Sequence, residues 1–125
     1  ECSFCGNTVF IENDKNYLVG VEAVIDKDLA SALLAIELEA ELFVITTSVD
    51  RVAINFGMPE EEWLDALELD QARELYEANH FDAGSMGPKI LAMINYLECG
   101  GLTGVITNPD NLTKGLKGKA GTRFL

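Results

Sequence analysis

The run Leu42-Phe43-Val44-Ile45-Thr46-Thr47 constrains the fold more than any other stretch of the 125-residue chain. It is continuously apolar or β-branched, so a strand here has no face to give to water. Such strands belong in parallel sheets covered by helices on both sides. The flanking patterns agree. Val9 to Ile11 is a short β-branched and aromatic run before the polar turn Glu12-Asn13-Asp14-Lys15-Asn16, and Val19 to Ile25 reads as extended. From Leu29 on, Leu29, Ala32, Leu33, Ile36 and Ala40 recur at helical spacing, with Asp26 or Asp28 as the cap. Val52 to Phe56 is a further strand.

Pro59 then opens an acidic stretch through Glu62, followed by Trp63, Leu64, Leu67 and Leu69. This predicts a helix with glutamates in its first turn and Trp63 packing it on the core. A short helix over Gln71 to Asn79 follows. The loop Gly84-Ser85-Met86-Gly87-Pro88-Lys89 interrupts the pattern. Ile90, Met93, Ile94 and Leu97 then give an amphipathic helix that stops at Gly100-Gly101. Gly104 to Thr107 is a strand, Asn108-Pro109-Asp110 starts a last short helix, and residues 118–124 form a Gly-containing turn plus an edge strand. Strands alternating with helices give an α/β class with a mainly parallel sheet. The length fits one domain at most.

Composition narrows the partners. With 48% hydrophobic and 24% charged residues the chain has an ordinary globular balance. A net charge of −12 argues against nucleic acid, whose phosphates are bound by excess Lys and Arg, and against an anionic membrane surface. A single nucleotide remains open, since a few placed lysines can serve it inside an acidic protein. No apolar run approaches the roughly 18 residues of a membrane span. The chain opens on Glu1 without an initiator Met, which is read as a start in mid-protein. Cys2, Cys5 and Cys99 are too few for a secreted disulfide scaffold, and a cytoplasmic location is expected. Cys2 and Cys5 form a C-x-x-C, but there is no second such pair and His80 is the only histidine. They are therefore read as small apolar residues, not as a redox pair or half of a zinc site. No metal site is expected, and residues 60–62 are read as a solvated helix start.

Two lysines stand where ligands bind in open α/β sheets, at strand ends beside helix N-termini. Lys27 lies in Val24-Ile25-Asp26-Lys27-Asp28, and Lys89 ends the Gly-Ser-Met-Gly-Pro-Lys loop. Phosphoryl transfer needs positioning and charge neutralisation more than covalent help, so two converging lysines suit a kinase. Asp26 is expected to hold Lys27 through a charge-assisted hydrogen bond. Neither a Walker A loop nor G-x-G-x-x-G occurs.

Several motifs in series resemble carbamate kinases of the amino-acid kinase family. They are Gly20-Val21-Glu22-Ala23-Val24-Ile25-Asp26-Lys27-Asp28-Leu29-Ala30, Thr47-Ser48-Val49-Asp50 with Asn55-Phe56-Gly57, His80 to Lys89, and Gly118-Lys119-Ala120-Gly121-Thr122. The resemblance runs from about Val9 to the end, in family order. It implies a three-layer α/β/α sandwich and reversible phosphoryl transfer between ATP and carbamate, giving ADP and carbamoyl phosphate. It further implies Mg²⁺ brought with the nucleotide, a role in arginine or allantoin breakdown, and a homodimer in the full-length family. By resemblance Asp26, Lys27 and Lys89 are the catalytic residues. Lys27 would neutralise the transferring phosphoryl group, and Lys89 would hold the terminal phosphates. Gly84, Ser85, Met86 and Pro88 would shape the nucleotide pocket, with Thr47, Ser48, Val49 and Ala53 near adenine and ribose. His80 is read as structural.

The chain also departs from the family. Ser3-Phe4-Cys5-Gly6-Asn7-Thr8 keeps one glycine where the family has a run of them at its carbamate and phosphate loop. Ser48 and Ala53 stand where the family often has Asp and Tyr. The 125 residues match the nucleotide-binding, C-terminal part only, so the expectation is a fragment inactive by itself. The alternatives are a non-catalytic nucleotide-binding remnant or another amino-acid kinase such as acetylglutamate kinase, which shares a Gly-x-Met-x-Pro-Lys loop.

Overall fold

The computed structural model describes residues 10–20 and 25–125, residues 10–12 in backbone alone. The readings at Cys2, Cys5 and Ser3 to Thr8, and the motif residues 21–24, lie outside the described residues. Strands β1 (Phe10–Glu12) and β2 (Leu18–Gly20) pair in antiparallel fashion. In the turn between them Asn13 Oδ1 accepts from the N–H groups of Lys15 and Tyr17 at 3.0 and 3.1 Å, the local bonding that suits Asn to turns. Helix α1 (Lys27–Glu37) leads to β3 (Leu42–Thr46). A hairpin of β4 (Val52–Ile54) and β5 (Glu62–Leu64) follows, then β6 (Ala66–Leu67), α2 (Leu69–Glu77) and α3 (Met86–Glu98). Strand β7 (Thr103–Thr107), a 3₁₀ turn over Pro109–Asn111 running into α4 (Leu112–Leu116), and β8 (Thr122–Phe124) complete the chain.

The main sheet has the order β3-β7-β8-β6. β3 runs parallel to β7 and β6 parallel to β8, while β7 and β8 are antiparallel. The fold is α/β with a mixed sheet. β8 was expected at an edge but is internal. It is paired with β7 on one side, and on the other the N–H groups of Arg123 and Leu125 donate to the carbonyls of Asp65 and Leu67 at 2.9 and 3.1 Å.

Alternation along β7 defines the layers, since successive side chains in a strand point to opposite faces. A Cβ at Gly104 would lie 2.4 Å from Met93 Sδ on α3, and Ile106 belongs to the core that α3 builds. A Cβ at Gly115 of α4 would lie 3.2 Å from Thr107 Cγ2 and 3.5 Å from Val105 Cγ1. So α3, packed between α1 and α2, covers one face, and α4 covers the other. Ile90, Ala92 and Met93 are fully buried with Ile106 and Phe124. Tyr96 joins α3 to the end of α1 by donating its hydroxyl to the Ala40 carbonyl, with its ring 5.3 Å from that of Phe43.

Three expectations are corrected. Residues 60–64 do not start a helix; they turn and return as β5. Asn55 and Gly57 adopt φ of 52° and 78°, and the Glu61 carboxylate accepts from the Gly57 N–H at 2.7 Å. The β4–β5 ladder then buries Val52 and keeps Trp63 43% exposed, off the core. The helix at Ile90 starts earlier, at Met86, because Pro88 is tolerated in a first turn that needs no N–H from it. Cys99, at the C-cap of α3, is disulfide-bonded, which the reading of the three cysteines as too few for a disulfide scaffold did not foresee.

Gly121 closes the tight turn before β8 at φ 78°. A Cβ there would lie 2.7 Å from the Ile106 carbonyl oxygen and 2.8 Å from Thr107 Cβ. Gly121→Ala is expected to cost about 1–3 kcal/mol through strain and backbone overlap, read as a lowered urea midpoint with an unchanged slope. A midpoint equal to that of the wild type would overturn this account of the turn.

Candidate active site

The site is built where three loops converge on the carboxyl end of β3 and the starts of α1 and α3. The segment after β3 is fixed first. Thr47 N–H donates to the Thr107 carbonyl at 2.9 Å, and Asp50 Oδ1 accepts from Asn111 Nδ2 at 2.8 Å. The β4–β5 hairpin is tied to β8 by the Thr122 hydroxyl, which accepts from Val52 N–H at 2.8 Å and donates to the Leu64 carbonyl at 2.5 Å. The loop before α3 closes on Asp82, whose carbonyl accepts from Gly87 N–H at 2.7 Å. A Cβ at Gly87 would sit 2.9 Å from that same oxygen, so the helix can start there only on a glycine.

A cavity of about 260 Å³ lies among these segments. Thr47, Ser48, Val49, Ala53, Ser85 and Met86 all line it. Two further residues named from the sequence, Gly84 and Pro88, are not among its lining residues. The sequence reading missed Arg51 and Trp63 as lining residues; Phe56, Phe81 and Asp82 lie inside the motifs that carry the resemblance and also line the cavity, as does His80, which was given a structural role. For Trp63 the cause is the helix wrongly expected there. For Arg51 no spacing in the sequence marked it.

Beside the cavity stands a charged cluster. Lys89 Nζ donates to Asp28 Oδ2 at 2.9 Å, and Lys27 Nζ donates to Asp28 Oδ1 at 2.7 Å. One carboxylate thus bridges the two lysines from different helices. Asp28 and Lys89 are buried, with side chains 8% and 11% exposed, while the Lys27 side chain is 77% exposed. Lys89 Nζ also reaches the Ser85 carbonyl at 3.5 Å, which connects the cluster to the cavity wall.

The expected partner of Lys27 is corrected here. Asp26 does not hold the lysine. It is the N-cap of α1, and its Oδ1 accepts from the N–H groups of Asp28 and Leu29 at 2.8 and 3.0 Å. That geometry satisfies orphan donors of the first turn and turns the carboxylate away from Lys27. Asp28, two residues on, does the work assigned to Asp26. The sequence offered either aspartate as the cap, and only the bond pattern separates their roles.

Burial pushes the Asp28 carboxyl up, but the hydrogen bonds from Lys27 and then Lys89, with the charges of both lysines, outweigh it and hold the group below its ordinary value. Among the described residues no group of three or more His, Cys, Asp or Glu side chains could hold a metal ion.

Comparison with known proteins fits this geometry. A family model described as "Amino acid kinase family" matches residues 6–108. The chain belongs to the amino acid kinase family. It is 46% identical over 120 residues to a carbamate kinase of Thermococcus kodakarensis, covering 96% of this chain and 38% of that protein. It is 41% identical over 120 residues to a carbamate kinase-like protein of Escherichia coli, with the same two coverages. Its structure superposes on a Giardia lamblia carbamate kinase bound to AMP-PNP with a TM-score of 0.85 at 39% identity, covering 90% of this chain and 36% of that one. The chain therefore spans under two-fifths of the length of these relatives. No helix among the described residues is long and apolar enough to cross a membrane.

Asp28→Asn would leave Lys89 buried against a neutral amide. It is expected to cost on the order of 3 kcal/mol at pH 7, as removal of one partner from a buried pair does. The folded-state value of Asp28 lies below its unfolded value of roughly 3.9, so its contribution is present above that pH and lost as pH falls through the folded value. The gap between wild type and variant in urea titrations should hold from pH 7 to about pH 4 and narrow only below. Equal stability of the two proteins at pH 7 would overturn the role given to the bridge.

Proposed function

We propose that these 125 residues are the nucleotide-binding part of a carbamate kinase-like phosphotransferase. The observation that carries the reading is the pair of lysines bridged by Asp28 next to a cavity whose wall contains the residues expected around a nucleotide. In this reading ADP or ATP enters with its base and ribose in the cavity and its terminal phosphates toward Lys89 and Lys27. The similar Giardia protein was solved with AMP-PNP bound, which supports an adenine nucleotide.

The transfer runs in line. A terminal oxygen of ADP attacks the phosphorus of carbamoyl phosphate, the bond from phosphorus to the carbamoyl oxygen breaks, and carbamate leaves with the electron pair, giving ATP. The reverse step phosphorylates carbamate from ATP. No strong base is required, because carbamate already carries the charge. Lys27 neutralises the transferring group and, being exposed, can follow it. Lys89 is held and serves the nucleotide's terminal phosphates. Asp28 fixes the spacing between the two ammonium groups. Mg²⁺ would arrive on the nucleotide, where it adds charge neutralisation between phosphates.

Carbamate binding falls, by resemblance, to Ser3 to Thr8, which lie outside the described residues. Transfer therefore depends on further chain of the kind the longer relatives possess, and the chain alone is expected to bind nucleotide without turnover. A cytoplasmic, homodimeric full-length enzyme acting in arginine or allantoin breakdown is the corresponding reading of the whole. A nucleotide-binding remnant without catalysis is the second reading, motivated by the single glycine left in Ser3 to Thr8.

Calorimetric titration of ADP into the chain is expected to show one site, weakened roughly 10²-fold or more by Lys89→Ala. Fused to the missing portion of a carbamate kinase, the protein is expected to form ATP from carbamoyl phosphate and ADP. Lys27→Ala should lower that rate by on the order of 10²-fold. Binding without turnover in the fusion selects the remnant. Full activity in the double Ala variant overturns the assignment of the lysines.

A further inference from the structure

The β4–β5 hairpin has two faces. Val52 and Leu64 form one cross-strand pair, Ala53 and Trp63 the next, and Ile54 and Glu62 the third. Directly opposed residues share a face, and successive pairs alternate. Val52, Ile54 and Leu64 pack with the core. Ala53 and Trp63 therefore point the other way, and both line the cavity. Ala53 offers only a methyl group there, so the indole beside it is the large surface on that wall.

The indole is also held at a fixed angle. Phe56 stands edge-on to Trp63, with ring centroids 6.0 Å apart and an interplanar angle of 89°. Such an arrangement suits the aromatic quadrupole, and a T-shaped contact cannot cover both faces of the indole. Both rings are far from buried, Trp63 at 43% and Phe56 at 66% exposure. Two aromatic rings fixed against each other and open to a cavity are a surface prepared for a flat apolar ligand.

The cavity decides which ligand. At about 260 Å³ it is smaller than the roughly 300–1,000 Å³ pockets that enclose a whole drug-sized molecule. Its wall also carries Thr47, Ser48 and Arg51, and at Ser85 it adjoins the lysine cluster. A molecule with a flat ring at one end, hydroxyls in the middle and anionic groups at the other matches that order.

We propose that Trp63, buttressed by Phe56, stacks on the purine base of the bound nucleotide and sets base preference in this chain. The inference rests on the nucleotide reading above and adds the residue that recognises the base. Stacking favours a purine over a pyrimidine because the larger ring overlaps more of the indole. Arg51 contributes little to base recognition, since its guanidinium is engaged with Asp65 at 2.7 Å and lies near Asp50 at 3.7 Å.

Trp63 is the only tryptophan of the chain, so its emission reports on the site directly. Titration with ADP or GDP is expected to quench it, with CDP binding more weakly. Trp63→Ala should bind ADP roughly 5- to 100-fold more weakly by calorimetry, the range for loss of one base–aromatic stack. Binding of inorganic tripolyphosphate, which has no base, should be unchanged, and Trp63→Phe should recover most of the ADP affinity. Trp63 is partly exposed and off the core, and the unchanged tripolyphosphate affinity separates loss of stacking from loss of fold. If ADP binds the wild type without quenching and Trp63→Ala binds it equally well, the stacking role is overturned while the nucleotide reading stands. If the wild type binds tripolyphosphate but no nucleotide better than tripolyphosphate, both are overturned.

Discussion

A buried ammonium group has to be paired, and Lys89 is paired with Asp28 across two helices. Removing one partner of such a pair leaves an uncompensated buried charge, which is strongly destabilising. The pair fixes the start of α1 against the start of α3, so the two helix N-termini open toward the same region. It also sets the order in which groups can move. Lys89 is enclosed, whereas Lys27 holds the same carboxylate from the solvent side with its own side chain largely exposed. One lysine is a fixed charge and the other an adjustable one, and a single aspartate coordinates both. An anion arriving between them competes with Asp28 for their donors. Each ammonium has three donors, enough to keep Asp28 and donate to a phosphate oxygen as well.

That arrangement depends in turn on how α3 is seated. The helix is buried along most of its length, from Ile90 through Leu97, between α1, α2 and the sheet. Glycines at its contacts set the distance. Gly104 lets Met93 lie against β7, and Gly101 lies where a Cβ would meet the Tyr96 ring at 2.4 Å. Gly87 lets the preceding loop fold onto the first turn. Small residues at these contacts let a large hydrophobic helix approach the sheet closely, which puts its polar N-terminus, and Lys89 with it, at the level of the strand ends.

Much of this was legible in the residues because periodicity and composition are strong signals over long elements. The run from Leu42 became β3, Leu29, Ala32 and Ile36 lie on the core side of α1, and Ile90 to Leu97 lie within α3. Of the eight residues that the resemblance implies around a nucleotide, six line one cavity. The failures cluster where pattern and tertiary pairing compete. Residues 59–69 carry a helix-like acidic start and leucines at plausible spacing, yet Val52 is better buried by a hairpin whose turn needs positive φ at Asn55 and Gly57. β8 looked like an edge because nothing in Thr122-Arg123-Phe124 shows that β6, more than fifty residues earlier, pairs with it. The exchange of roles between Asp26 and Asp28 was beyond spacing alone. Both aspartates suit a helix start, and which one caps is decided by a backbone rotation at Asp26, φ −69° and ψ 123°.

In the proposed reading, a chain of net charge −12 has to hold a polyanion locally, and the cluster offers the means. Two lysines against one aspartate leave a single positive charge, and Arg51 is offset by Asp50 and Asp65. The net attraction for a phosphate chain is therefore modest, and the field of the remaining acidic surface opposes it, though screened beyond roughly 8–10 Å at physiological salt. Affinity for nucleotide over other anions must then come from the part of the ligand that is not charged. The cavity supplies it with hydroxyls at Thr47 and Ser48 and an aromatic wall on the β4–β5 hairpin. On that reading, charge at the lysines would place the phosphates where they can react, and the apolar wall would decide which phosphates arrive.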